Sequence, residues 1–394
     1  MAHTPGGRTG EETDAVKLAA DLVKIPSITG QEGDAASYIA SAMKDIGMSV
    51  TFDEAAPGRR NVIGTLQGNP RSPVLILNGH IDVVPPGDPS RWSVDPFGGV
   101  IRDERLYGRG SADMKGGLAA LLTAIRIFIR SGDKMKGTII LEAVIDEENG
   151  GRAGTGRLTI DTPIRGDFAC IAEPTNLELQ TAHKGDLGME ITVEGRAAHA
   201  ATPERGSNAV HKMISLAGSL LEIPRRYAWE GRLHPLLGPP YITISVIEGG
   251  LQRNIIPDRC RIIVDRRTLP RLESLETAKA EIEETLQQAR QRDPELRATS
   301  RPILEIESME TDHDQLIVRR FTEAYSEATG RPPRIAGLRG FCDAHYYQRN
   351  LGIPVIIFGP GRLEEAHSAD EYVETTQLTQ ATRVYTRLLN NLLT

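Results

Sequence analysis

Pro73-Val74-Leu75-Ile76-Leu77-Asn78-Gly79-His80-Ile81-Asp82 is an apolar run that ends in two polar side chains set two positions apart. Apolar, partly β-branched and bounded by proline and glycine, it reads as a buried strand from Pro73 to Asn78. In extended chain, residues i and i+2 share a face. His80 therefore meets whatever lies beyond the strand mouth, and Asp82 is close enough to orient its ring or to serve a neighbouring position. Taken alone, a His-x-Asp turn is more often a hydrogen-bonded histidine than a ligand.

Working outward, the same strand signal returns at Gly137 to Ile145, Phe168 to Ala172 and Pro354 to Phe358. Between them, Met114 to Ile129 has helical spacing, with Leu118, Leu121, Leu122, Ile125 and Ile129 on one face. Two further helices are expected between Glu12 and Met48, broken around Ile25-Pro26-Ser27 and Thr29-Gly30, as a cap on the sheet. This alternation predicts an α/β sheet covered on both sides. The middle reads differently. Strands near Leu187 to Val193, Tyr241 to Val246 and Arg259 to Val264 are interrupted by helices near Asn208 to Leu221 and Leu272 to Arg290. We expect a separate α+β module at 186–300, with 1–185 and 301–394 forming the first domain.

At 394 residues the chain is long enough for more than one core. Its net charge is −7, with acids and bases mixed rather than gathered into blocks, so nothing recruits nucleic acid or an anionic membrane surface. No apolar run reaches the roughly 20 residues needed to cross a bilayer. The stretch from Met1 to Asp14 is small and polar, unlike a signal peptide. Cys170, Cys260 and Cys342 are widely spaced with no CxxC pair. That argues against a disulfide framework and for a reducing cytoplasm.

The chemistry lies where the strands end. A glycine-rich turn, Leu106 to Gly117, puts Asp113 at the entrance of the apolar helix; its bland reading is a helix N-cap. Asp146-Glu147-Glu148 follows the strand ending at Ile145, Glu173 follows Phe168 to Ala172, and His367 lies a short loop beyond Pro354 to Phe358. In open α/β sheets the ligand crevice lies outside the carboxyl ends of the strands, so these positions converge by architecture. Two histidines and three carboxylates, one of them shared, suit a two-metal hydrolytic site, and N/O ligands without sulfur suit zinc or a similar first-row ion.

With these residues quoted, nearly the whole chain resembles the di-zinc family that includes acetylornithine deacetylase, succinyl-diaminopimelate desuccinylase, aminoacylase and carboxypeptidase G. The resemblance is carried by Gly79 to Val84, Gly108 to Gly117, Asp146-Glu147-Glu148, Ala172 to Thr175, Ala198-His199-Ala200 with Thr202-Pro203, Asn254 with Pro257, Asp265 to Pro270, and His367 before Glu371-Tyr372-Val373. It implies a mixed, mainly parallel α/β catalytic domain with an inserted ferredoxin-like lid and dimerisation domain. It implies two Zn2+ ions, replaceable by Co2+ or Mn2+: Asp113 bridging, His80 and Glu173 completing one site, Glu148 and His367 the other. Glu147 would be the general base and Asp82 would orient His80. His199 and Asn254 would reach the active site of a second subunit in a homodimer, His199 stabilising the oxyanion, and Arg267 would hold the substrate carboxylate. Where relatives often carry a Gly-Thr-Ser/Thr-Asp loop, this chain has Gly340-Phe341-Cys342-Asp343-Ala344-His345, which leaves the acyl preference open.

The expectation is a cytoplasmic metal-dependent hydrolase of an N-acyl amino acid or small peptide. A dipeptidase or carboxypeptidase of the same family is the alternative. A catalytically silent dimeric metal-binding protein is the third reading.

Overall fold

The computed structural model describes residues 10, 13–69, 71–161 and 164–394. Of the polar stretch Met1 to Asp14, all but Gly10, Thr13 and Asp14 lies outside the described residues, as does Glu12, where the first helix was expected to begin. The chain forms two compact units: Met1–Thr181 with Thr311–Ala336 and Cys342–Thr394, and Ala182–Glu310 with Gly337–Phe341.

The first unit is built on a mixed sheet. Thr138–Val144, Val74–His80, Phe168–Ile171 and Val355–Ile357 lie side by side and parallel at its centre. Antiparallel strands flank them: Arg59–Leu66 and Ser49–Ala56 on one side, Leu179–His183 on the other. Val74–His80 is buried along almost its whole length, as a strand with neighbours on both edges and helices over both faces must be. The helix Gly116–Arg130 packs between Asp14–Val23 and Thr375–Leu393 and is buried nearly all round, which explains why its sequence is so apolar. Phe128, rather than the expected Ile129, takes the last buried turn; Ile129 is over a third exposed.

Glycine permits one close approach that matters for the site. A Cβ on Gly117 would stand 2.0 Å from the Ala172 carbonyl oxygen, so only glycine lets the helix start lie against the end of strand Phe168–Ile171.

In the second unit, strands Gly185–Glu194, Tyr241–Gly249, Arg259–Thr268 and Arg297–Ile306 alternate with helices Ala209–Trp229 and Leu275–Arg292. The last strand completes a βαββαβ order with every pairing antiparallel, the ferredoxin-like arrangement. Asn208 and Ser274 cap the two helices by accepting the His211 and Thr277 N–H groups. Among the described residues no helix is long and apolar enough to cross a membrane.

Candidate active site

Within the first unit, the structure gathers His80, Asp82, Asp113, Glu147, Glu148, Glu173 and His367 at the carboxyl ends of the parallel strands. Asp113 is no helix cap. The turn Ser111–Lys115 precedes the helix, and Asp113 itself has extended backbone at φ −120°, ψ 98°. Its carboxylate reaches out on both sides, with Oδ1 2.9 Å from His80 Nε2 and Oδ2 3.5 Å from His367 Nε2.

His80 Nδ1 donates to the Asp82 carbonyl oxygen at 2.8 Å. That contact fixes the tautomer and leaves the Nε2 lone pair of a neutral ring facing the Asp113 carboxylate. Two acceptors at 2.9 Å need a cation or a second proton between them. The His80 to Glu147 Oε2 distance is 4.0 Å, and His367 Nε2 lies 2.9 Å from Glu148 Oε2. Ligand atoms of His80, Glu147 and Glu173 lie within 4.8 Å of one another, as do those of His80, Asp113 and Glu148. Glu173 Oε1 is buried without a hydrogen-bond partner, an orphan that a cation would satisfy.

Electrostatics point the same way. Burial pushes the Glu147 and Glu173 carboxyls well above the usual range, and neighbouring carboxylates add to the shift. Burial opposes a charged His80, yet the Asp113 hydrogen bond and the charges of Glu147, Asp113 and Glu173 hold its pKa well above normal. Buried like charges at such density fit a strong cation, and the all-N/O donor set fits a first-row divalent ion.

Asp82 does more than its expected role as orienter of His80. Its carboxylate stands 3.6 Å from His80 Nδ1, but it accepts the Thr29 hydroxyl at 2.8 Å and the backbone N–H groups of Glu147 and Glu148 at 3.2 and 3.3 Å. It thus holds the turn that carries both glutamates.

Two residues with no role in the sequence reading also belong to this region. Asp343 is buried, accepts the Thr155 hydroxyl at 2.6 Å and is pushed up to about 7 by burial. Glu371 grips the Asp113 turn, as developed below. Both stand in stretches quoted above, Glu371 in the motif after His367 and Asp343 in the Gly340 to His345 loop, but their use has no local signal, because the partners lie 188 and about 260 positions away in sequence. His345 is buried, and burial lowers its pKa to about 4.

His199, Asn254 and Arg267 lie in the second unit. His199 and Asn254 are exposed and adjacent: Ala200 N–H donates to the Asn254 carbonyl at 2.9 Å, and Ile256 N–H to Ala198 at 2.8 Å. The strand's two-residue period separates Arg266 from Arg267. Arg266 is fully buried against Glu273, Glu281 and Tyr227. Arg267 is partly exposed, forks onto Asp265 at 2.8 and 2.9 Å, meets Asp186 at 3.0 Å and lies over Phe341.

Residues 76–391 match the model of peptidase family M20/M25/M40. The chain is 33% identical over 387 residues to succinyl-diaminopimelate desuccinylase of Methylobacterium sp. (strain 4-46), covering 95% of this chain and 94% of that protein. It is 31% identical over 390 residues to acetylornithine deacetylase of Photorhabdus laumondii subsp. laumondii, covering 95% and 96%. The crystal structure of aminopeptidase PepT from Bacillus cereus superposes with a TM-score of 0.79 at 22% identity, covering 97% of this chain and 98% of that one, which supports the fold. The chain belongs to peptidase family M20/M25/M40 and is a metal-dependent hydrolase of that family.

Proposed function

We propose that this enzyme is a cytoplasmic deacylase that hydrolyses the amide bond of an N-acyl amino acid using two zinc ions. The observation that carries the reading is the Asp113 carboxylate, one oxygen turned to His80 and the other to His367. Asp113 would hold both ions, His80 and Glu173 one, Glu148 and His367 the other. Bound zinc would polarise the amide carbonyl and lower the pKa of a water molecule. Glu147, partly buried beside His80, would take the proton of that water and pass it to the leaving nitrogen. Asp82 keeps Glu147 and Glu148 aimed by holding their backbone N–H groups.

Arg267 would bind the substrate carboxylate through its planar fork, in exchange with Asp265 and Asp186. The second unit would act as lid and dimerisation domain, with the exposed His199 and Asn254 serving the partner's site. The names of the desuccinylase and deacetylase relatives support N-acyl amino acids as the substrate class.

The test is metal content together with hydrolysis of N-acetylornithine, N-succinyl-diaminopimelate, simple N-acetyl amino acids and dipeptides, before and after chelation and zinc restoration. We expect about two metals per chain and chelator-sensitive turnover of an acylated amino acid. Turnover confined to dipeptides would replace the deacylase reading with the peptidase one, and bound metal without turnover of any substrate would defeat both.

A further inference from the structure

Asp113 is useful only if its two oxygens face opposite ways, and its own segment does not ensure this. It sits in an irregular turn, two residues before the helix cap Lys115, and its extended backbone has no place in a helical ladder. Something outside the turn has to hold it.

Glu371 is fully buried and aimed at that turn. Its Oε1 accepts the backbone N–H groups of Ala112 at 3.0 Å and of Asp113 at 3.1 Å. Its Oε2 accepts Arg109 Nη1 at 2.5 Å, and its carbonyl accepts the Gly108 N–H at 2.9 Å. Arg109 is itself 2% exposed and lies over the Trp92 ring, so the charge pair is shielded from water on both sides. The strand Tyr372–Glu374 then pairs with Arg105–Tyr107, tying the segments before and after these contacts together.

The arrangement repeats what Asp82 does across the site. One carboxylate holds the N–H groups of Glu147 and Glu148; the other holds those of Ala112 and Asp113. Glu371 also lies four positions after His367, so a single short segment delivers one histidine and fixes the carboxylate that histidine faces.

We propose that Glu371, charge-balanced by Arg109, is a positioning residue that sets the Asp113 carboxylate between His80 and His367. It touches neither substrate nor metal and acts through the backbone of the turn. The inference rests on the metal reading given above. Outer groups that fix a ligand in this way typically matter by about 10- to 100-fold in metal affinity.

The experiment is a Co2+ titration of the metal-free full chain, read by calorimetry and by the visible cobalt spectrum, on the unsubstituted protein and on Glu371→Gln and Glu371→Ala. Glutamine keeps an oxygen for the turn but gives up the charge pair; alanine gives up both. We expect cobalt affinity to fall about 10-fold or more with alanine and less with glutamine, with an altered spectrum. In the zinc-loaded forms, kcat should fall while KM stays within about 2-fold, because the contact proposed to hold the substrate carboxylate, at Arg267, is untouched. If alanine prevents folding, the glutamine variant decides. Unchanged cobalt affinity and spectrum in the folded variants overturn this inference alone. Failure of the unsubstituted chain to bind cobalt overturns the metal reading and this inference with it.

Discussion

Replacing Glu142 by glutamine tests how the core beneath the site carries a buried acid. Glu142 lies in the strand Thr138–Val144 and is fully buried. One carboxyl oxygen accepts the Tyr347 hydroxyl and the other has no partner. Burial pushes this carboxyl from 4.5 up to about 7. The folded chain therefore keeps a proton that the unfolded chain releases, so the contribution to stability is fully present below 4.5 and is lost as pH rises through about 7. At about 1.4 kcal/mol per pH unit, the whole displacement is worth about 3 kcal/mol, most of which falls between pH 5 and pH 8. Glutamine does not titrate and should lack this slope. The assay is guanidinium unfolding at both pH values in a Trp229→Phe background, where the buried Trp92 reports on the first unit. Other titrating groups are common to both proteins and cancel in the difference. The stability gap between variant and parent should move by about 2–3 kcal/mol in favour of glutamine at pH 8; parallel curves, with the gap moving by less than about 1 kcal/mol, would refute the reasoning.

Four further outcomes are expected. Glu147→Gln should lower kcat by about 10²- to 10⁴-fold with metal content unchanged, checked by steady-state kinetics beside elemental analysis; near-native turnover would remove Glu147 from its role. Arg266→Met should destabilise the protein by about 3–5 kcal/mol, since Glu273 and Glu281 lose their shared buried partner. Arg267→Lys should instead raise KM about 10-fold or more with little effect on unfolding, because a point charge cannot replace the fork; denaturation midpoints and kinetics together separate the two arginines. Gly117→Ala should cost about 1–3 kcal/mol by pushing the helix start off the Ala172 carbonyl, seen as a fall in Tm with weakened metal binding.

The parallel centre of the sheet was legible because its strands are continuous apolar runs, and the site residues stand at the ends of those runs. Elements that were not read lack that contrast. Ser49–Ala56 is an edge strand with Asp53 and Glu54 in its interior and Phe52 exposed, so no face alternates cleanly. The helix Thr375–Leu393 is rich in threonine, which masks its helical period at Leu378, Ala381, Val384, Tyr385 and Leu388. In the second unit, Pro302 falls inside the strand Arg297–Ile306, where it marks an edge rather than a break. Around the site, Asp82 and Glu371 work on backbone N–H groups far away in sequence, and no side-chain spacing records that use.

The order in which the first unit is put together follows from the return of the chain to it after Glu310. The core helix Gly116–Arg130 is covered by Thr375–Leu393, which leaves the ribosome about 245 residues later. At about 5–20 residues per second that interval is roughly 12–50 s. Throughout it the nascent chain lacks the cover for one face of an apolar helix and holds a half-built cluster of carboxylates, while the second unit, whose main segment is continuous, can already close. Chaperone capture and misfolding compete in that window, and on the proposed assignment of His367 metal loading would have to wait for the segment that brings His367 and the covering helix together.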